Sequence, residues 1–208
     1  MNSLGLNLKA GSYDRCLEAA HKQIQDNDLT HYMNILRRGY VIHYGHSVDV
    51  SRYAHMLGLA LDLPQQDLED LVFASLVHDI GKSSIPKIIL EKPERLNKVE
   101  FDCIKGHTTI TMHILENAGV DEKIVDIAHS HHEKLNGTGY PQNLSGSQIS
   151  QLTQIVTVSD IYSALREQRA YKEAKTHEEA ISILRSDATG VNQDYVKLLD
   201  AEMKKLKI

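Results

Sequence analysis

Histidine and aspartate are the residues of this sequence whose types and spacing could support chemistry. Twelve histidines stand among 208 residues, beside five methionines, two phenylalanines and no tryptophan. Scattered surface histidine is common, whereas clustered histidine is a frequent metal ligand. The spacing of the histidines in the sequence is therefore needed to distinguish the two cases. The stretch LVHDIGKSS places His78 and Asp79 side by side at the end of an apolar helical pattern. An ionised carboxylate beside an apolar face needs a cation or hydrogen bonds to offset its lost hydration.

Seven histidine and aspartate residues lie near the ends, or on the apolar faces, of predicted helices. They are His46, His78, Asp79, His107, His131, His132 and Asp160. Imidazole and carboxylate groups suit zinc, iron, manganese and nickel. Seven groups exceed the needs of one tetrahedral site and fit two metals that share a bridging carboxylate, for which Asp79 is the candidate. The seven come from five segments, so the fold must bring these segments together.

Asp160 is a second carboxylate that needs a partner to offset its lost hydration, independently of the other six residues. It lies in the stretch QIVTVSDIYSAL, whose apolar residues predict a buried helix. A buried aspartate there needs a metal ion, an arginine partner or hydrogen bonds. On the residues alone, a metal and an ion pair with Arg169 both remain open.

Hydrophobic periodicity predicts an almost wholly helical chain, with no confident strand. The expected helices span 14–26, 31–44, 46–61, 64–80, 98–117, 121–133, 151–166, 177–186 and the tail from 192. Asn97 with Glu100, and Thr176 with Glu179, have the spacing of helix capping boxes. The longest loops, 81–97 (with room for one helical turn) and 136–150, are where function is expected to concentrate.

Composition excludes several classes of protein. The net charge of −5 gives no general attraction for nucleic acid polymers or anionic membranes. No apolar stretch is long enough to span a membrane, and the N-terminal stretch lacks the apolar core of a signal peptide. Cys16 and Cys103 are expected to be free thiols in a reducing compartment, which favours a cytoplasmic location.

The order of these motifs resembles the HD-GYP group of the HD phosphohydrolases over residues 43–185. The matching elements are His46, HDIGK (78–82), His107, HHE (131–133), GYP (139–141), Asp160 and RAYK (169–172). The resemblance implies an all-α HD-domain helical bundle at 41–208. The helical pattern before it predicts a short N-terminal extension at 1–40, which the resemblance does not cover. The resemblance also implies a centre of two or three metals that hydrolyses the bacterial second messenger cyclic di-GMP.

The resemblance assigns roles to single residues. It places His46, His78, Asp79 and Asp160 on one metal, and Asp79, His107, His131 and His132 on the other. Lys82 is expected to contact phosphate and assist catalysis, and Gly139, Tyr140 and Pro141 to shape the substrate pocket. Arg169 and Lys172 are expected to bind the cyclic dinucleotide. Glu133 is expected to orient His131 or His132 through the ring nitrogen that does not bind metal.

One departure from the family pattern bears on the number of metals. Members of the family with three metals carry a glutamate four residues before the first histidine, where this chain has Ile42. We therefore expect two divalent ions, iron or manganese before zinc, nickel or magnesium, and accumulation of the linear product pGpG ahead of GMP.

Two other functions remain open on the sequence. One is a phosphohydrolase acting on another nucleotide or cyclic dinucleotide. The other is a weakly active module that binds the nucleotide or a partner signalling protein, and a homodimer is also compatible with the sequence.

Overall fold

The chain folds as an assembly of α-helices. The computed structural model describes residues 11–39, 41–168 and 173–206, and these ranges contain ten α-helices and no strand. The helices are α1 (Ser12–Asp26), α2 (Thr30–Gly39), α3 (Val41–Ala60), α4 (Gln65–Val77), α5 (Lys87–Leu90), α6 (Lys98–Asn117), α7 (Glu122–Ser130), α8 (Gln151–Arg166), α9 (His177–Ser186) and α10 (Gln193–Lys205). Short 3-10 helices occupy Ile80–Ser84 and Gly146–Gln148. The predicted all-α class is confirmed.

Helices α3, α4 and α8 form the centre of the molecule. Every residue from Asp70 to Gly81 is buried, as is every residue from Ile155 to Asp160. A helix that is buried on all sides belongs in a core, and both α4 and α8 pack against α3. None of the helices in the described ranges is long and apolar enough to cross a bilayer.

The outer helices carry the remaining candidate ligands to this centre. Helix α6 packs against the Ile80–Ser84 turn, and α7 packs against α4, α6 and α8. Helix α1 packs against α4 and buries Cys16, Ala20 and Ile24 in the main core. The division of the chain at residue 40 stays a prediction.

Four helix boundaries differ by three residues or more from those expected. Helix α2 ends at Gly39 instead of residue 44, and α3 begins at Val41 instead of His46. Helix α4 ends at Val77 instead of residue 80, and α7 ends at Ser130 instead of residue 133. Contacts with α6 explain the end of α4, because the Gly81 N–H donates to Thr111 Oγ1 at 3.0 Å and the Thr111 hydroxyl donates to the His78 carbonyl at 3.1 Å. Hydrogen bonds from a distant helix thus replace those that would continue α4.

Local sequence patterns predicted two helix starts correctly. Both predicted capping boxes are present, one at the start of α6 and one at the start of α9. The helical turn allowed for within 81–97 is α5.

Candidate metal centre

The seven predicted ligands converge in the interior, although they come from five segments. His46 lies in α3, His107 in α6 and Asp160 in α8. The pairs His78–Asp79 and His131–His132 follow directly after the last residues of α4 and α7. Six of the seven residues are buried, and the His132 side chain is 23% exposed. The centre therefore opens to solvent on the His132 side.

Three of the histidines are held by the same local contact. Nδ1 of each ring lies within hydrogen-bonding distance of the backbone carbonyl three residues earlier, at 2.7 Å for His78, 2.6 Å for His107 and 2.6 Å for His131. A carbonyl only accepts, so each Nδ1 carries the proton and each Nε2 of the neutral ring keeps a free lone pair. The backbone thus fixes the tautomer that binds metal through Nε2.

These three Nε2 atoms and Asp79 Oδ1 are buried and have no hydrogen-bond partner within the described part of the chain. His107 Nε2 lies 3.1 Å from Asp79 Oδ1, and His131 Nε2 lies 3.9 Å from the same oxygen. Two lone pairs that face each other in a buried space repel unless a cation lies between them, and an unpaired buried polar atom is costly. This chemistry fits a divalent metal ion.

Asp79 stands between two groups of side chains. Its Oδ1 faces His107 and His131, while its Oδ2 lies 3.3 Å from His78 Nε2 and 2.5 Å from Lys82 Nζ. Possible ligand atoms within 4.8 Å of one another form two sets that share Asp79. One set is His46, His78 and Asp79, and the other is Asp79, His107, His131 and His132. This arrangement suits a bridging carboxylate.

Asp160 joins the set that contains His46. Its Oδ1 lies 2.8 Å from His46 Nε2 and 3.8 Å from His78 Nε2, and its Oδ2 lies 3.8 Å from His132 Nδ1. The Ser163 hydroxyl, 3.0 Å from Nδ1 of His46, positions the other side of that ring. Asp160 is thus surrounded by histidines. The structure brings all seven residues together, and their ligation of metal stays a prediction.

For His131, His132 and Asp79, burial and charge favour the protonation states that bind metal. Burial lowers the pKa of His132 to about 3 and lowers that of His131 well below its ordinary value. Burial alone would raise the pKa of Asp79, but His78, Lys82 and a contact with His107 hold it well below the usual range. An ionised carboxylate and neutral imidazoles are the forms that a metal ion requires.

The predicted loop residues lie over the exposed side of the centre. The Tyr140 ring packs against the His132 ring, with 4.7 Å between centroids. Gly139 lies directly against the backbone of residues 133–134, because a Cβ atom there would come within 2.4 Å of Lys134 N. Pro141 follows in the same loop, and Gly139 and Tyr140 line a cleft of about 480 Å³ that reaches His131 and His132.

Glu133 differs from its predicted role. This side chain is 1% exposed and its two oxygens accept hydrogen bonds from the backbone N–H groups of Gln142 (2.6 Å) and Leu144 (3.0 Å). His131 Nδ1 is held instead by the Ala128 carbonyl. Glu133 therefore does not orient His131, and the alternative that it orients His132 stays a prediction. Glu133 fastens the 137–145 loop beside the centre.

The cleft also contains residues that sequence reasoning missed. Phe101, Lys105, Lys134 and Asp187 line it, and Lys134 pairs with Asp187 at 2.6 Å. The i, i+4 spacing of Phe101 and Lys105 on the helix that bears His107 was the available signal. Predicted substrate contacts Arg169 and Lys172 lie outside the described residues. A larger surface depression of about 590 Å³ between α5 and the start of α6 is lined by none of the predicted site residues.

Comparison with known proteins identifies the family. The family model described as "HD domain" matches residues 29–194, which is most of the chain and includes all seven candidate ligands. The chain belongs to the HD domain family. The expected resemblance to the HD-GYP group is confirmed, because curated relatives of this HD domain are named cyclic di-GMP phosphodiesterases and one similar solved structure is named an HDG"Y"P protein.

Two curated relatives and one solved structure illustrate the similarity. The HD domain is 36% identical over 140 residues to 3'3'-cGAMP-specific phosphodiesterase 3 of Vibrio cholerae, covering 67% of this chain and 30% of the relative. It is 37% identical over 139 residues to cyclic di-GMP phosphodiesterase PA4108 of Pseudomonas aeruginosa, covering 66% and 34%. It thus spans about a third of the length of these relatives. The structure of Bd1817, an HDG"Y"P protein from Bdellovibrio bacteriovorus, superposes with a TM-score of 0.68 at 16% identity, covering 97% of this chain and 75% of that one.

Proposed function

We propose that this HD domain is a metal-dependent phosphodiesterase that hydrolyses cyclic di-GMP to linear pGpG, with GMP as the product of a second cleavage. The observation that carries the proposal is the group of buried, unpartnered lone pairs on His78, His107, His131 and Asp79. These atoms lie beside a cleft of about 480 Å³, within the size range of small-molecule sites.

Two divalent ions, iron or manganese first, complete the proposed centre. His46, His78, Asp79 and Asp160 would hold one ion, and Asp79, His107, His131 and His132 the other. Ions bound there supply an activated water molecule and a Lewis acid for the phosphoryl oxygens. Ile42 in place of a ligating glutamate supports two ions and accumulation of pGpG.

The chain's own residues orient and neutralise the substrate. Lys82 lies at the centre through its contact with Asp79, and its ammonium group is placed to neutralise charge on the phosphoryl oxygens. Gly139 and Tyr140 form the wall above His132, and Glu133 holds the loop that contains them and Pro141. This wall limits the access of bulk water to the reacting phosphate.

A second substrate has a specific observation in its favour. The relative from V. cholerae that is 36% identical to this HD domain is named for 3'3'-cGAMP, which differs from cyclic di-GMP in one base. The metal centre acts on the phosphodiester and does not distinguish these two compounds. We therefore propose 3'3'-cGAMP as the second substrate to test.

Hydrolysis by metal-loaded protein tests the proposal. The chain is reconstituted anaerobically with Fe²⁺ or Mn²⁺ and incubated with each cyclic dinucleotide, and the products are separated by chromatography. We expect pGpG from cyclic di-GMP, and no product from the Asp79→Ala variant. Absence of turnover on both dinucleotides, despite two bound ions per chain, would contradict the proposed substrates and favour a binding role.

A further inference from the structure

Phe101 and Lys105 line the outer part of the cleft and have no role in the chemistry proposed above. They lie four residues apart on α6 and therefore on the same face of that helix. Phe101 is 46% exposed, although phenylalanine is usually buried in folded proteins. An exposed aromatic ring at the mouth of a cleft beside a metal centre is available to a ligand.

These side chains continue the surface that begins at the metal centre. The Tyr140 ring packs on His132, and Lys105 Nζ lies 5.8 Å from the centroid of the Tyr140 ring. The same ammonium group lies 4.9 Å from the centroid of Phe101 and forms an ion pair of 2.9 Å with Asp102. A molecule that enters the cleft from solvent thus meets Phe101, Lys105 and Tyr140 before it reaches His132.

The chemistry of this surface matches one half of a cyclic dinucleotide. Such a substrate contains two phosphodiesters and two bases, so one nucleotide extends away when the other phosphate lies at the metal centre. Aromatic faces bind bases by stacking, and an ammonium group pairs with a phosphate. The chain's net charge of −5 supplies no general attraction for this anion, so local positive groups are needed, and Lys105 is one of them in the cleft.

We propose that Phe101 and Lys105 form the binding site for the nucleotide half that is not cleaved. Phe101 stacks on its base, and Lys105 pairs with its phosphate. This inference rests on the proposed function. Every base has a face that can stack, so the subsite contributes affinity without distinguishing guanine from adenine. Both cyclic di-GMP and 3'3'-cGAMP are expected to use it.

Steady-state kinetics of Phe101 variants test the subsite. In Phe101→Ala we expect KM to rise about tenfold for both dinucleotides, in line with the cost of removing one stacking ring, while kcat changes less. Phe101→Trp should restore a KM near that of the original chain, because it keeps an aromatic face. Val99→Ala, at a 78% exposed apolar position on the same helix, is the matched control. The metal content of each variant is measured in the same preparation.

The possible outcomes distinguish a failure of the proposed subsite from a failure of the proposed phosphodiesterase function. An unchanged KM in Phe101→Ala, or a KM in Phe101→Trp as high as in Phe101→Ala, would overturn the subsite and leave the phosphodiesterase intact. Bis(4-nitrophenyl) phosphate, which has no base, reports on the metal chemistry of the original chain. Hydrolysis of this ester without hydrolysis of either dinucleotide would overturn the substrate assignment and the subsite together. Hydrolysis of neither would overturn the phosphodiesterase itself.

Discussion

His78, His107 and His131 each meet a backbone carbonyl one helical turn earlier, and this contact decides which nitrogen is free. In all three residues the contact leaves Nε2 free and directed into the buried space around Asp79. The protein backbone therefore performs the orienting task that a separate carboxylate performs in many metal sites. No additional side chain is needed, which explains why Glu133 is free to fasten the loop instead.

The types and order of the candidate ligands were predictable at this scale, because few side chains bind divalent metals. The hydrogen-bond partners of Glu133 were not predictable. They are backbone N–H groups of residues 142 and 144, in a loop whose path the sequence does not specify. Phe101 and Lys105 were missed for a related reason. An exposed aromatic and lysine pair has no evident use until the distant loop bearing Tyr140 folds over it.

His55 gives a prediction that involves a histidine outside the metal centre. It is fully buried, its Nε2 lies 3.3 Å from Ser12 Oγ, and burial lowers its pKa from 6.5 to about 4. The unfolded chain binds this proton more readily between pH 4 and 6.5, so the free energy of unfolding must fall as the pH is lowered through that range. Between pH 7.5 and pH 5 the loss from this residue is about 2 kcal/mol.

Urea denaturation at these two pH values measures the effect. The difference in the free energy of unfolding should be smaller by about 2 kcal/mol in His55→Gln than in the original chain. The exposed His21 on α1 offers the control substitution, His21→Gln, which should leave the difference unchanged. Equal pH dependence in His55→Gln and the original chain would show that this histidine does not titrate as described.

At the scale of elements, the approach of the 80–84 turn to α6 brings Asp79 to His107. A Cβ atom on Gly81 would lie 2.2 Å from the His107 carbonyl oxygen and 2.7 Å from Thr111 N. Both atoms belong to the backbone of a helix and cannot move aside cheaply. Only glycine permits this approach, because every other residue would add this Cβ atom.

Gly81→Ala should therefore separate the turn from α6. We expect a loss of about 2 kcal/mol in the free energy of unfolding and a lower metal content, since Asp79 would move away from His107. Gly106→Ala, one residue before His107, is the matched control because nothing lies within 4 Å of its added Cβ. In the middle of a helix that change should stabilise the chain by about 0.5–1 kcal/mol. Equal stability of the two variants would contradict the account.

The 137–145 loop depends on one buried carboxylate. Glu133→Ala leaves the N–H groups of Gln142 and Leu144 without their acceptor, and hydrogen bonds to a charged group contribute about 1.5–3 kcal/mol each. We expect faster hydrogen exchange at these two amides and a higher KM for the dinucleotide, with an intermediate effect in Glu133→Gln. Unchanged exchange at both amides in Glu133→Ala would show that the loop is held by other contacts.

Helix ends were the least predictable elements, and the reason is tertiary. The sequence of α4 continues to favour a helix beyond Val77. The Thr111 hydroxyl of α6 ends this helix, because it accepts a hydrogen bond from the Gly81 N–H and donates one to the His78 carbonyl. Capping boxes were predicted correctly because all of their hydrogen bonds lie within four residues of sequence. Contacts between distant segments leave no such local pattern.

For the whole molecule, the all-α class and the HD family followed from the pattern of apolar residues and the order of the motifs. The packing of α1 against the other helices could not be predicted in this way, because the matched family region begins at residue 29 and α1 precedes it. Yet α1 packs on α4, the helix that leads into His78 and Asp79. Support for the metal centre thus includes a helix outside the matched region.

Truncation tests this support. A chain that starts at residue 29 loses the buried side chains of Cys16, Ala20 and Ile24 and exposes the face of α4 that they cover. We expect the free energy of unfolding to fall by roughly 5 kcal/mol, with a lower Tm. A chain that starts at residue 11 keeps α1 and serves as the control. A chain that starts at residue 41 and keeps the Tm of the control would support an independent domain at 41–208 and contradict the stabilising role of α1.

The number of metal ions bound by each chain tests the central claim most directly. The chain is loaded anaerobically with Mn²⁺ or Fe²⁺, passed through a desalting column and analysed for metal by mass spectrometry. We predict two ions in the original chain, one in His107→Ala, one in His46→Ala and none in Asp79→Ala, because Asp79 is shared by both sets of ligands. An original chain that binds no metal, or an Asp79→Ala variant that keeps both ions, would contradict the account.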